Sequence, residues 1–484
     1  MSITGALNNA LTGLSASARA AQITASNLSN ALTPGYGRRE LDLISQGQGA
    51  TGGVRITGTT RHVDAGLIAD RRMAGSNHLE ASSKAAYHNK LELLVGLSDA
   101  PGSLSQRFAD FESALVAASS RPDEQVRLDH VATAAEKLTD RFRDIATGIQ
   151  AMREQADTNI NQMIHQLNAS LEQVEKLNIQ ITKLQNSPDD ALSLLDSRQR
   201  VIDDISNIVP VRVVARDNGA VALFSAGGAI LIDGPAPTLE FTPTPTIAPH
   251  FSTGNGLLSG ISINGHAVNV DPKNGPLIGG DLAAQFAVRD ELSITSQATL
   301  DGLALDVISR FQDPALDPTL GATDAGLFTD QGSAFVAGSE TGISGRIELN
   351  ALVSQNGADE TWRIRAGLGA ATSGATGDAT LINTMITTLA DRRTPASSEY
   401  GTTPQSVVGL IGNLSTRFST EKYATDRELG FLSNQLTTLE ERELSLGVDS
   451  DQEMQRLLLI EQSYAANAKM IETVDELIQT LLRI

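Results

Sequence analysis

The chain has no cysteine, few aromatics, a deficit of positive charge and no long apolar run. Each shortage removes a class of function. Without cysteine there are no disulfides, thiolate metal sites or cysteine nucleophiles. Aromatics make up 4% of the residues and Trp362 is the only tryptophan, so the cores must be built from Ala, Leu, Ile and Val, which suits long helices. Lys and Arg number 37 against 57 Asp and Glu, a formal charge of −20. Nucleic-acid phosphates and anionic lipid both attract clustered cations, so neither is an expected partner. No stretch approaches the ~20 apolar residues that span a bilayer, and no membrane insertion is expected. The first residues lack a basic region, and Asn8, Asn9 and Thr12 interrupt any apolar segment, unlike a cleavable signal peptide. The chain is therefore expected to be cytoplasmic or to leave the cell by a route that reads no such signal.

What is present is a matching pair of heptads at opposite ends. Leu7, Leu11, Leu14, Ala18, Ala21, Ala25, Leu28 and Leu32 recur at steps of four and three. Leu457, Ile460, Tyr464, Asn467, Ile471, Val474, Ile478 and Leu481 do the same near the other end. A mean step of 3.5 is the coiled-coil seam. The seams imply that the terminal helices pair with each other or with neighbouring copies. Alanine buries little area, so the first seam is shallow, and its helix gains little from packing alone. Asn467 places a polar group in the second seam, where such groups select register at a cost in stability.

Between the ends, the spacing predicts a helix over 3–32 stopped by Pro34-Gly35, and loop or short strands over 45–62. Helical pattern covers 65–120, with a break at Pro101-Gly102. A start signal at Ser120 and Pro122 opens a helix of about 65 residues, near 95 Å long, which ends by Pro188. A shorter helix follows over 189–206. Alternation on either side of Asp217-Asn218-Gly219 predicts a hairpin. Five prolines over 233–249 read as linker or surface loop, and one helical interlude is expected near 280–312. Ser450 and Glu453 fit a capping box at the start of the last helix. The reading is a multidomain α+β chain: a long antiparallel, coiled-coil helical bundle built from both termini, with an inserted β-rich domain. Its boundaries are 1–45 with 445–484 for the terminal coiled-coil domain, 46–206 with 375–444 for the long-helix bundle, and 207–374 for the β-rich outer insert.

Chemistry is scarce. No zinc-protease, P-loop or nucleophile-elbow motif occurs, and no two of the seven histidines have metal-ligand spacing. Glycines at Gly254-Asn255-Gly256 and Gly367-Leu368-Gly369 lack the third glycine of a dinucleotide fingerprint. Met454 stands where a calcium loop starting at Asp449 needs glycine. No catalytic residue, cofactor or metal is expected.

The segment Ala25-Ser26-Asn27-Leu28-Ser29-Asn30-Ala31-Leu32-Thr33-Pro34-Gly35-Tyr36 resembles the N-terminal signature of bacterial flagellar rod, hook and hook-associated proteins. Gly447 through Glu453, Gln462 through Ala468 and Thr480-Leu481-Leu482 resemble the hook-associated members of that family. So do Leu194 through Arg198 and Gly279 through Leu282 in the interior. Gly37 and Leu32 depart from the usual residues. The resemblance implies a structural, non-enzymatic role in flagellum assembly and motility, at the junction between hook and filament. It implies secretion by type III export and an extracellular place in the flagellum. It implies copies of itself, hook protein, a second junction protein and an export chaperone on the C-terminal helix as partners. The paired terminal helices would form an inner tube. Their seam residues, with Asn27 and Asn30, would be the assembly interface, and Pro34, Gly35 and Tyr36 the family turn. The alternatives are another axial protein, such as hook protein or the second junction protein, or a secreted enzyme or adhesin acting through 207–374.

Overall fold

A computed structural model describes residues 3–45, 52–96, 100–184 and 188–483. Helix α1 (Ile3–Ser29) leads through the turn at Pro34 into a two-stranded antiparallel ribbon, β1 (Arg38–Ser45) and β2 (Val54–His62). Residues 46–51, part of the expected loop, lie outside the described residues. Helices α2 (Ala65–Val95), α3 (Leu104–Ser120), α4 (Gln125–Lys183) and α5 (Pro188–Ile208) follow. Asp64 caps α2 by accepting from the Gly66 and Leu67 amides, and Ser103 caps α3. The start signal at Ser120 and Pro122 falls short of the real start. Residues 121–124 form a separate turn, closed by the Glu124 amide on the Arg121 carbonyl, and α4 begins after it. Its 59 residues give a rod of about 88 Å.

Three small sheets and a helix make up the stretch that follows. The first sheet holds β3 (Val211–Ala215), β4 (Val221–Ser225) and β5 (Ile230–Ile232). Its hairpin turns through Asn218 and Gly219, both at positive φ, as the Asn-Gly pair requires. The second holds β6 (Leu239–Glu240), β7 (Ile261–Ile263) and β8 (His266–Val268). The proline-rich stretch is not a free linker: it contributes β6 and lies along α4, where Leu239 is buried and its carbonyl accepts from Asn168 Nδ2 at 2.8 Å. Helices α6 (Gly280–Ala287) and α7 (Ser293–Phe311) run on through one π-helical turn, Val288–Leu292. The third sheet pairs β9 (Phe328–Asp330) with β10 (Ile347–Leu349). Helices α8 (Arg363–Ala366), α9 (Thr380–Ala390), α10 (Val407–Leu446) and α11 (Ser450–Arg483) complete the chain.

Helix α4 passes through two apolar cores. Its first half packs Leu138, Ile145 and Ile149, all fully buried, with α2, α3, α7 and the start of α10. There Phe111, Phe311 and Phe328 stack with centroids 5.1 to 6.0 Å apart. Its second half packs Leu167, Leu171 and Val174 against α5, α6 and the first two sheets. Burying one such side chain contributes about 1.5–3 kcal/mol. Between the cores lies a polar layer, in which Arg289 Nη1 meets Asp157 Oδ1 at 2.6 Å and both are buried. Helix α10 packs along α2, and α11 packs back along α1.

Candidate assembly surface

Helices α1 and α11 run antiparallel. Ser17 Oγ lies 3.3 Å from Ser463 Oγ, and Gly13 lies under Asn467. A Cβ at Gly13 would come within 2.9 Å of the Asn467 amide, so the helices approach closely where small residues permit it.

The C-terminal seam turns partly toward this contact. Val474 is buried, and Leu457, Ile460, Asn467, Ile471 and Ile478 are half-buried, whereas Tyr464 and Leu481 are exposed. The N-terminal seam is rotated away from it. The buried line of α1 is Ala10, Ala16, Ser17, Ile23, Thr24 and Asn27. Leu7, Leu14, Ala21 and Leu28 are half-buried, and Leu11, Ala18 and Ala25 face solvent. Leu32, one turn beyond the helix, is 92% exposed. Helix α11 also leaves Leu458, Leu459, Met470, Leu477 and Leu482 exposed, outside its seam.

The family turn is held by one amide. Asn27, fully buried, donates from Nδ2 to the Arg39 carbonyl at 2.8 Å. Its Oδ1 accepts from the Arg39 amide at 3.0 Å and from the Tyr36 hydroxyl at 2.8 Å. The side chain thus pairs with β1 as another strand would. Asn30, half-buried, donates to the Ser26 carbonyl at 2.9 Å and closes the helix end. Gly35 sits at φ 76, where a side chain would be strained and would meet Arg200. Pro34 is exposed, while Tyr36 is half-buried beneath the Arg39 guanidinium.

The residues that fix this turn to the rest of the molecule were not singled out from periodicity. Asp196 of α5 accepts from the Gly37 amide at 3.1 Å, Arg39 at 2.8 Å and Arg61 at 2.7 Å. Two residues on, Arg198 donates to Asn178 and to the Gly219 carbonyl of the β3–β4 turn. Burial, with Arg61 nearby, pulls the Arg198 guanidinium down to about 10. The Leu194–Arg198 segment therefore grips the terminal turn with one side chain and the first sheet with the next. The one sequence signal was its place in the resemblance.

Helix α11 is pinned to β1 by Arg38–Glu453 at 2.9 Å and Arg456–Glu40 at 2.6 Å. The hydrogen bond from Arg456, aided by its charge and that of Arg38, holds Glu40 below the usual carboxylate range. This corrects the expected capping box. The cap is Asp449, which accepts from the Asp451 and Gln452 amides at 2.9 and 3.1 Å. With the helix end already satisfied, Glu453 points at Arg38 instead. A second cluster, Arg71 and Arg72 with Asp203 and Glu443, ties α2, α5 and α10 beneath the turn. A cleft of about 310 Å³ lies there, lined by Leu32, Pro34, Tyr36, Leu444 and Val448 with Glu440 and Glu443.

Among the described residues, no group of three or more His, Asp or Glu is placed to hold a metal ion, and no helix is long and apolar enough to cross a membrane. The family described as flagellar hook-associated protein FlgK helical domain matches residues 89–314. The one described as flagellar basal body rod FlgEFG protein C-terminal matches residues 445–484. Flagellar hook-associated protein 1 of Bacillus subtilis is 25% identical over 515 residues, spanning 98% of this chain and 97% of that protein. Its namesake in Escherichia coli is 24% identical over 317 residues, 63% of this chain and 56% of that one. Among solved structures, the flagellar hook junction protein FlgK from Burkholderia pseudomallei aligns at a TM-score of 0.44 and 18% identity, over 54% of this chain and 46% of that one.

Proposed function

We propose that this chain is a flagellar hook-associated protein 1, and that its terminal helix pair is the element through which copies assemble at the hook–filament junction. It is a structural axial protein of the bacterial flagellum, associated with hook and filament components. The observation that carries the assembly reading is the pair itself. Helices α1 and α11 already hold each other, yet Leu11, Leu459, Met470 and Leu477 are each about half or more exposed. Apolar edges of this extent on a soluble chain mark interaction surfaces.

In this reading the neighbours are further copies, hook protein on one side and the second junction protein on the other. Before assembly, an export chaperone covers the C-terminal helix. Export is of the type III kind and uses no cleaved signal. The long helices and the sheets surround the terminal pair and give the ring its stiffness, adapting a bending hook to a stiff filament.

The test is a clean deletion of the gene, with electron microscopy of the cells and an immunoblot of the medium for flagellin. Hooks without filaments, with flagellin lost to the medium, are expected. Absent hooks would move the protein to the rod or hook, and normal filaments would overturn the reading.

A further inference from the structure

Charge interrupts the buried stripe of α4 at one level. Ile149 belongs to the first core and Ile160 opens the second. Between them on the buried face stand Arg153 and Asp157, with the small Ala156 beside them. Opposite, the path from α6 to α7 widens into the π turn Val288–Leu292, where the Ser293 amide bonds to the Val288 carbonyl five residues back. The turn presents the Arg289 carbonyl to Arg153 Nε at 2.9 Å. The Arg289 guanidinium donates to Asp157 at 2.6 Å, to Asp290 at 2.8 and 2.9 Å and to the Ser259 carbonyl at 3.0 Å. The same groups hold the loop that crosses this level. Asp157 accepts from the Thr244 amide at 2.7 Å, and Arg153 donates to the Phe251 carbonyl at 2.8 Å.

The two apolar clusters share no residue, and the side chains that bridge α4 and the π turn between them are charged. Burying matched charge specifies an arrangement but adds little net stability, because desolvation offsets the attraction. The second core is also the less secure of the two. Its strands are two to five residues long, and sheets that short depend on the helices that cover them. Helix α2 gives Tyr87, Leu91 and Val95 to the first core and no residue to the second. It meets the second through polar pairs, Ser83 with Asp281 at 2.6 Å and Arg72 with Asp203 at 2.5 Å.

We propose that the Arg153–Asp157–Arg289 layer is a boundary between two cooperative units, across which the second core opens as one piece while the first stays folded. The piece that opens is the second half of α4 with α5, the first two sheets and α6, and the π turn is where the path to α7 parts. Because α5 carries Asp196, which grips the turn at Gly37, opening also frees that turn. The device therefore lets the half of the chain nearest the terminal turn yield without loss of the other half.

The test is hydrogen exchange of the full-length monomer at sub-denaturing urea, read peptide by peptide by mass spectrometry. Peptides from 160–183 and 190–208 should open together, at least about tenfold more often than those from 128–149 and 300–311. One common opening rate along the whole of α4 would overturn the proposal. Ile205→Ala, a truncation deep in the second core, should speed exchange in 160–183 and leave 128–149 unchanged. Equal acceleration of both segments would overturn it as well. Asp157→Leu combined with Arg289→Met replaces the charged bridge by apolar contact and should bring the two rates together. A folded double variant that keeps the full gap would show that the layer is not the boundary. Where that variant fails to fold, the unaltered chain and Ile205→Ala decide.

Discussion

Helix α4 and the α1–α11 pair are both long, both heptad-like, and differ in what covers them. On α4, Leu167, Leu171 and Val174 are fully buried by α5, α6 and the sheets of the same chain. On the pair, Tyr464 is 46% exposed and Leu481 60% exposed although each holds a seam position. Periodicity reports that a helix has an apolar stripe. It does not report whether the covering partner lies in the same molecule. In α4 the partner is internal, and the stripe contributes stability. In the terminal pair much of the stripe is uncovered within the chain, and in the reading proposed above its contribution is to association.

The sharpest break of that contrast is within α4. Phe142→Ala, in the first core, should cost about 3–5 kcal/mol and lower the melting temperature of the whole helical region, read by circular dichroism. Next in size is Asp196→Ala. It leaves the Gly37 amide and the Arg39 and Arg61 guanidiniums short of their acceptor in a nearly buried site, at a cost of about 1–3 kcal/mol or more. Limited proteolysis near the 36–62 segment should accelerate, because the pair loses its hold on α5. Asn27→Ala should cost about 1–2 kcal/mol by the same reasoning, with the β1 backbone left half-paired. By contrast, Leu11→Asp and Ala18→Asp should change monomer stability by no more than about 0.5 kcal/mol. They should nevertheless abolish incorporation into the flagellum, read by immunoblot of isolated hooks. Leu14→Asp and Ile471→Asp, on half-buried seam positions, should block incorporation as well and leave the middle of the chain folded.

The smallest effect concerns pH and the α2–α10 contact. His88 of α2 is buried with its Nδ1 3.7 Å from a Glu421 oxygen of α10. Burial, only partly opposed by Glu421 and Asp426, lowers its pKa from the ordinary 6.5. The folded chain therefore resists a proton that the unfolded chain accepts. The stability that His88 contributes is complete above about pH 6.5 and declines as pH falls toward the lowered folded value. His88→Gln should flatten the fall in melting temperature between pH 7.5 and 5.5.

The sequence carried much of this molecule. The long central helix, the hairpin at Asn218-Gly219, the interlude near 280–312 and the last helix could all be read from period and turn chemistry. The N-terminal contact could not. The heptad of Leu and Ala was real, but the approach to α11 is made through Gly13 and Ser17, small residues that hydrophobic periodicity ignores. The cap of α11 was misread for a related reason. Asp449 and Ser450 are adjacent capping residues, and Glu453, which a capping box would turn back to the helix start, meets Arg38 instead, more than 400 residues away in sequence. The Asp196 cluster was hidden in the same way, since three donors converge on it from separate segments. Local rules find elements. They do not find joints, where charges from distant segments meet.

The measurement that tests the central claim most directly is hydrogen exchange on the purified monomer near neutral pH. Backbone amides of α1 and α11 should exchange far faster than those of α4, whose stripe is covered within the chain. Equal, strong protection of the terminal helices and α4 would mean that the pair is complete on its own, and would contradict the account.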